Sequence, residues 1–399
     1  MAVKEQLPIL IIGAGVVGLT LAQALKKKNI PALVFERDTN ADVRGQGWAI
    51  TIHWALPCLE ALLPPELFAL IDEVQVDPIN GKRDKGNFLF LNLQDGSIKF
   101  RIPPSARKRV GREKLRRLLM DGLNINWGKR LVGIKDNDDD GVSAVFSDGS
   151  TVAGSLLVGV DGSSSTVRRM LSASDDEAVL KQLPYRFMGV TATYTPDAIA
   201  PLRALDPLLF QGCHPETGVF LWYSTLETPE ATGNGLYKAQ LNLSWPVRSP
   251  ADEVPTDNSE RVAFLKAKAS RFCEPFRSAI LGIEDDAEVV EIKLADWDVV
   301  QWDNHRGRAT LAGDAAHAMT MYRGEAANHG LMDALKLFQA IESVWDGVED
   351  QEVAIGAYEA EIMKRAPRAV KLSRQACIDA HQWENLKEGC AVLSRRSID

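Results

Sequence analysis

The chain has 399 residues, a formal net charge of −8, and 25% charged against 45% hydrophobic residues. That is ordinary globular usage, with length enough for two or three domains and a sizeable core. The acidic balance lacks the clustered Lys and Arg that nucleic acid or an anionic membrane surface selects, so neither is an expected partner.

Leu7 to Leu25 runs nineteen residues without a charge, close to the length of a membrane span. One lysine precedes it and no clear signal cleavage site follows. Gly13, Gly15 and Gly18 divide it into a buried strand (9–12), a tight turn and a helix (16–28), so no integral membrane segment is expected. Asn29 closes the helix and residues 31–37 form the second strand. Residues 87–102 read as a β-hairpin turning at Asp95-Gly96, 112–123 as a basic amphipathic helix whose arginines suit a solvated face, and 130–160 as a meander. The turn DNDDDG lies within that meander, at 136–141. From 185 to 247 aromatic and β-branched residues predict a mostly antiparallel sheet. A helix over 257–282, a strand over 288–299, a short buried strand at 309–313 and long helices over 327–346 and 352–388 complete the chain.

Cys58, Cys213, Cys273, Cys377 and Cys390 are odd in number with no CxxC pair, against a disulfide framework or zinc finger. No HExxH spacing occurs, so no metal is expected, and the thiols suit a reducing, intracellular compartment, the cytoplasm.

Three constellations carry chemistry. In Gly13-Ala-Gly15-Val-Val-Gly18, Gly13 permits the turn, Gly15 lets backbone approach a pyrophosphate and Gly18 lets helix and strand pack closely; the helix N-terminus favours negative charge. Glu36 ends the second strand, placed to accept ribose hydroxyls; the competing reading is a packing turn in another α/β protein. Of the Asp-Gly pairs at 95, 140, 148 and 161, only Asp161-Gly162 follows a buried strand and opens a helix, which suits a second phosphate- or ribose-facing loop as well as an ordinary turn. The third is Gly313-Asp314-Ala-Ala-His317 with Gly324, Asn328 and Gly330 downstream at the start of a long helix. Asp314 is a ribityl-hydroxyl acceptor or a helix N-cap, and His317 is expected to be structural rather than catalytic.

Together these motifs resemble the class A flavin-dependent monooxygenases, the para-hydroxybenzoate hydroxylase-like family, over nearly the whole chain. The resemblance implies an α/β fold: a Rossmann-like FAD-binding domain of the GR2 type with an inserted, mostly antiparallel substrate sheet and C-terminal helices. The expected division is FAD-binding segments at 1–75, 104–180 and 300–346, a substrate-domain hairpin at 76–103 and sheet at 181–299, and a helical segment at 347–399. Gly13, Gly15, Gly18, Glu36 and Arg37 would hold the ADP half of FAD. Arg44 and Gly45 in VRGQG, with Arg112, match positions against flavin or phosphate. Asp161 and Gly162 would serve FAD and nicotinamide nucleotide, Gly313 and Asp314 ribitol, and Gly324, Ala326, Ala327 and Asn328 would offer amides to the flavin ring.

The implied activity is oxygen transfer, by way of a flavin C4a-hydroperoxide, from O2 to an electron-rich aromatic or polycyclic small molecule, with NADPH or NADH as reductant, in secondary metabolism. No catalytic side chain is named. Tyr194, Phe210, Trp222 and Tyr223 are candidate lining residues whose strand face is open. Alternatives are a related flavoenzyme without oxygen transfer, such as a reductase or oxidative cyclase, and a non-catalytic nucleotide-binding protein. The last motif departs from the family: Met321 stands for a proline, Ala326 for a glycine, and Glu325 for a glutamine-like residue. A carboxylate facing the ring would oppose charge on reduced flavin, so Glu325 is expected to turn toward Arg323 or the first-turn amides. The oligomeric state is not legible.

Overall fold

The computed structural model describes residues 7–43, 47–137 and 141–394. Ile9–Ile12, buried along its whole length, lies at the centre of a five-stranded parallel sheet. Leu156–Gly159 and then Ala309–Leu311 follow on one side, Ala32–Phe35 and then Ile125–Asn126 on the other. Neighbours so distant in sequence require crossovers, so the sheet gathers three separated stretches of chain. The Val16–Lys27 helix follows the first strand and ends where Asn29 takes the left-handed conformation (φ 57°). It packs on the Ala326–Trp345 helix, and Gly330 permits the approach: a Cβ there would meet Val17 Cγ2 at 2.5 Å.

The second sheet has seven strands, in the order Val289–Glu291, Tyr185–Tyr194, Tyr237–Pro246, Phe220–Glu227, Leu209–Cys213, Phe88–Asn92 and Ile98–Ile102. All its pairings are antiparallel except that of Leu209–Cys213 with Phe88–Asn92, through which the early hairpin joins. Alternation gives it two faces. The rear face carries Tyr194, Phe210, Leu221, Tyr223 and Leu241 into a core with Val262, Leu265, Phe276 and Ile280 of the helices behind. The front face carries Leu209, Gln211, Trp222, Ser224, Gln240 and Asn242. It looks toward the two-stranded pair of Ala49–Ile52 with Lys108–Gly111: Arg109 bonds Ser224, and a Cβ on Gly189 would meet Trp48 at 3.0 Å.

Several element boundaries differ from expectation. The predicted 257–282 helix is two, Asn258–Lys268 and Phe276–Leu281, with Pro275 between them unable to continue a helical ladder. The 288–299 strand reduces to Val289–Glu291 and Ala295–Asp296. The last helix runs Gln351–Ala380 and stops short of 388; the chain then turns back, burying Val392 and Leu393 beside the front face. The predicted turn at 136–141 lies partly outside the described residues. No helix among them is long and apolar enough to cross a membrane.

Candidate active site

The three motifs converge where the parallel sheet meets the front face. Gly13 adopts φ 119°, and a Cβ on it would stand 2.5 Å from the Val160 carbonyl oxygen. Gly18 is equally constrained, its Cβ falling 2.4 Å from the Gly13 oxygen and 2.8 Å from Val160 Cγ2. Gly15 differs: its backbone is ordinary (φ −85°) and nothing lies within 4 Å of an added Cβ. The space above it is open, at the N-terminus of a twelve-residue helix. Glu36 is buried and ties the turn to the second strand, accepting from the amides of Ala14 at 2.9 Å and Asp38 at 3.1 Å. Arg37 beside it is exposed. Arg44 and Gly45 lie outside the described residues.

Arg116 holds the same turn, and sequence reasoning missed it. Expected on a solvated face, it is 1% exposed and donates from Nε to the Ala14 carbonyl at 2.8 Å. Its place between Leu115 and Leu119 on the buried arc of the Arg112–Leu119 helix is the signal that could have found it. Its Nη2 and Nδ1 of His317 are buried without a hydrogen-bond partner among the described residues.

Asp161 is bound to protein: one oxygen accepts from Ser165 Oγ, the other from the amides of Thr166 at 2.7 Å and Val167 at 3.2 Å. Its carboxylate therefore caps the start of the Thr166–Leu171 helix, while Gly162 turns at φ 86°. Arg168, in the same stretch, is buried and links this motif to the third, donating to the carbonyls of Asp314 (3.3 Å) and Ala315 (3.1 Å). Burial lowers its pKa to about 10 against the pull of Asp161.

Asp314 opens the short Asp314–His317 helix, with Gly313 rather than Asp314 as its N-cap. Its side chain is exposed. Desolvation raises its carboxyl pKa, and the charges of His317, Arg112 and Arg168 oppose that rise. His317 has a structural partner: its Nε2 lies 2.6 Å from Asp333 Oδ2, which also accepts from the Gly313 amide at 2.7 Å, and Arg365 donates to the other oxygen at 2.6 Å. Desolvation opposes ionisation of Asp333, but the charges of His317 and Arg365 keep it far below the ordinary range.

Gly324, in the left-handed region at φ 64°, leads into the Ala326–Trp345 helix, whose first residues Ala326 and Ala327 are half-buried at the cleft. The Asn328 side chain points elsewhere. It accepts from the His53 amide at 2.9 Å and donates to the Thr51 carbonyl at 2.9 Å, fastening the Ala49–Ile52 strand to the helix. Glu325 turns to Arg323, in a buried ion pair, and accepts from Trp54 Nε1 at 3.3 Å. Met321 packs in the apolar cluster of the front face; it is Tyr322 that lines the adjoining cavity, with Thr51, His53, Phe88, Leu209 and Trp222. Of the four predicted lining residues only Trp222 faces it; Tyr194, Phe210 and Tyr223 belong to the rear core. No cluster of three or more potential metal ligands occurs among the described residues.

Residues 80–373 match the family described as the FAD binding domain. An FAD-dependent monooxygenase of Emericella nidulans, dbaB, is 49% identical over 347 residues, covering 85% of this chain and 88% of that protein. The chain belongs to this family of FAD-binding monooxygenases. A second fungal relative, the FAD-dependent monooxygenase cctM of Talaromyces islandicus, is 34% identical over 95% of this chain and 94% of its own. The fold is shared with 2,6-dihydroxypyridine-3-hydroxylase from Arthrobacter nicotinovorans at a TM-score of 0.74, 17% identity, and coverage of 99% and 98%. The family and the para-hydroxybenzoate hydroxylase-like fold expected from the motifs both hold.

Proposed function

We propose that the enzyme is an NAD(P)H-dependent monooxygenase that places one oxygen atom on an electron-rich aromatic or polycyclic small molecule, as a tailoring step in secondary metabolism. The observation that carries the reading is the open space over Gly15 at the N-terminus of the Val16–Lys27 helix. A pyrophosphate fits over Gly15, where a side chain would stand but none does, against unsatisfied helix amides. Glu36 would take the adenosine ribose, Arg112 would neutralise phosphate, and Asp314 would accept from ribityl hydroxyls. The amides of Ala326 and Ala327, at the positive end of a twenty-residue helix, would offer hydrogen bonds to the flavin ring.

FAD, when bound, supplies the redox chemistry and the activation of oxygen. The chain's part is to orient and to keep water out. Arg168 and Arg116 hold the second and first motifs against the cleft. Asn328 keeps the Thr51–His53 backbone beside the helix start, and the Phe88, Trp222 and Tyr322 side chains form a dry wall for substrate. Glu325, neutralised by Arg323, places no unpaired negative charge beside the helix start.

The test is a flavin spectrum of the purified protein, bleaching by NADPH and by NADH in turn, and product analysis under 18O2 with a panel of phenols and polycyclic aromatics. Bound FAD and one labelled oxygen in the product are expected. Turnover with unlabelled product would identify a reductase or oxidative cyclase; no flavin and no turnover would leave a nucleotide-binding protein.

A further inference from the structure

Arg109, on the Lys108–Gly111 strand, is 4% exposed, and no carboxylate among the described residues pairs with it. Its guanidinium donates to neutral oxygens: Nη1 to Thr51 Oγ1 at 2.9 Å, and Nε and Nη2 to Ser224 Oγ at 3.2 and 3.0 Å. It also stands 5.5 Å from the centroid of the Trp222 ring. A buried ion without a counter-charge is costly. Burial lowers its pKa to about 9, assisted by repulsion from Arg107. The neighbouring charges are accounted for: Arg107 pairs with Asp84 at 2.6 Å and Arg323 with Glu325, while His53 and Tyr322 are the remaining titratable groups of the cavity lining.

The sheet face against Arg109 is unusual in the same sense. Gln211 is fully buried with neither its amide oxygen nor its nitrogen bonded; Gln240 Oε1 and Asn242 Nδ2 are also buried without partners. These side chains form one patch, because Gln240 stands opposite Ser224, and both Gln211 and Asn242 stand opposite Trp222. Cβ atoms of such pairs are about 4.5–5.5 Å apart. Thr51 and Trp222, which flank Arg109, line the cavity together with apolar Phe88, Ile102, Leu209 and Tyr322. Arg109 and the unmatched amides stand beside this cavity, next to its lining residues Thr51 and Trp222. A counter-ion-free cation with unmatched amides at a largely apolar cavity is complementary to a flat apolar molecule bearing an ionised oxygen and further polar oxygens.

We propose that Arg109 is the counter-ion of the substrate: the enzyme takes an aromatic oxyanion, phenolate or carboxylate, seated on Arg109 beside Thr51 and Ser224, with Gln211, Gln240 and Asn242 reading its remaining oxygens. This rests on the monooxygenase reading of the same cavity. The pairing would be charge-assisted and, with Arg, bidentate, which lends it geometric as well as electrostatic selectivity.

The experiment is equilibrium dialysis of the holoenzyme against 4-nitrophenolate, 4-nitrobenzoate and 4-nitroanisole, which share one frame and differ in charge, at a pH where the phenol is ionised. At least one anion should bind about tenfold or more tighter than the anisole, and which anion it is assigns phenolate or carboxylate. Arg109→Gln should retain FAD and abolish the preference, and Arg109→Lys should retain part of it. If Arg109→Gln does not fold, Ser224→Asp, which supplies the missing carboxylate from within, should fold and lose the preference. Equal binding of anions and anisole by the wild type, a preference that survives Arg109→Gln or Ser224→Asp, or loss of FAD from folded Arg109→Gln would each overturn the assignment. Dialysis does not depend on flavin colour. A wild-type protein lacking FAD would therefore overturn the monooxygenase reading separately, and the anion preference would still decide the role of Arg109.

Discussion

The nucleotide-side wall built on the Gly13–Gly18 turn and the wall built on the seven-stranded sheet position their residues by different means. On the nucleotide side position is set by backbone: open space at Gly15, contact at Gly13, Gly18 and Gly330, and arginines that bond carbonyls. On the sheet side position is set by side chains, and a shift of one residue exchanges cavity for core. The first wall tolerates few residue types at a few places; the second tolerates many types but fixes which face each occupies.

The largest effect that tests this contrast comes from adjacent residues of one strand. Tyr223 is buried and stacks on Phe210 with centroids 4.7 Å apart, whereas its neighbour Trp222 lines the cavity. Tyr223→Ala should cost about 3–5 kcal/mol, as large aromatic truncations in cores do, with an unchanged ranking of substrates among molecules that remain folded. Trp222→Ala should fold with a smaller loss and alter KM and substrate ranking. Thermal melts with a substrate panel check both, and a reversed pattern would show that the sheet face has been assigned wrongly.

The glycine turn offers the matching pair. Gly15→Val should leave the melting temperature of the flavin-free protein nearly unchanged, because open space receives the side chain, yet abolish FAD retention. Gly18→Ala should do the opposite first, destabilising the fold by about 1–3 kcal/mol through overpacking against Gly13 and Val160. Equal flavin content in Gly15→Val and wild type would remove the pyrophosphate from this turn. Asp314→Ala should weaken FAD binding at least about tenfold, since a hydrogen bond to a charged group contributes roughly 1.5–3 kcal/mol, while relieving a crowded carboxylate in the flavin-free protein. Fluorescence titration of apoprotein with FAD measures it.

What was legible follows from this division. Gly13, Gly18 and the strand–turn–helix around them could be read because glycine spacing and apolar runs report directly on backbone. The arginines of 112–123 suited a solvated face, and the Asp161-Gly162 loop suited an ordinary turn as well as a ligand site. Sequence left both open for one reason: a charged side chain's partner can lie far away in sequence, as the Ala14 carbonyl does for Arg116, and a helix end that Asp161 caps is not separable from a ligand site by residue type alone. Arg109 gave no signal at all, because a four-residue strand does not reveal which of its faces meets a sheet more than a hundred residues later. Glu325 was legible for a physical reason: a buried carboxylate at the start of a helix expected to face a flavin requires a cation, and Arg323 was two residues away.

Glu325 therefore sharpens the boundary between the two walls. Arg323 joins the helix start to the C-terminal turn through Ala391 and Ser394, and Glu325 supplies its counter-charge. Glu325→Gln leaves the guanidinium buried with weaker acceptors and should cost about 1–3 kcal/mol, toward the lower end because an amide oxygen still accepts. The flavin reduction potential should be nearly unchanged, because the charge removed was already neutralised. A clearly raised potential, measured by xanthine oxidase titration, would show that the carboxylate acts on the ring.

The smallest effect is one of pH, and each wall holds its own sensor. His329 in the nucleotide-side helix is buried and accepts from Arg365 at 2.9 Å; burial, with His317 and Arg365 nearby, lowers its pKa to about 3. His381, at the end of the long C-terminal helix and bonded to Ser244 of the sheet, is lowered by burial to about 4. Both are neutral in the fold and titrate near 6.5 once unfolded. Below pH 6.5 the unfolded chain therefore binds protons that the folded chain refuses, so stability falls with pH through the window from about 6.5 to each folded value. Between pH 6.5 and 5.5 each histidine should remove about 1 kcal/mol. His329→Asn and His381→Asn should each flatten the slope of stability against pH while lowering stability at pH 7. Denaturant midpoints at half-unit pH steps read the slope, and a double variant as steep as wild type would mean that neither wall carries the neutral histidine assigned to it.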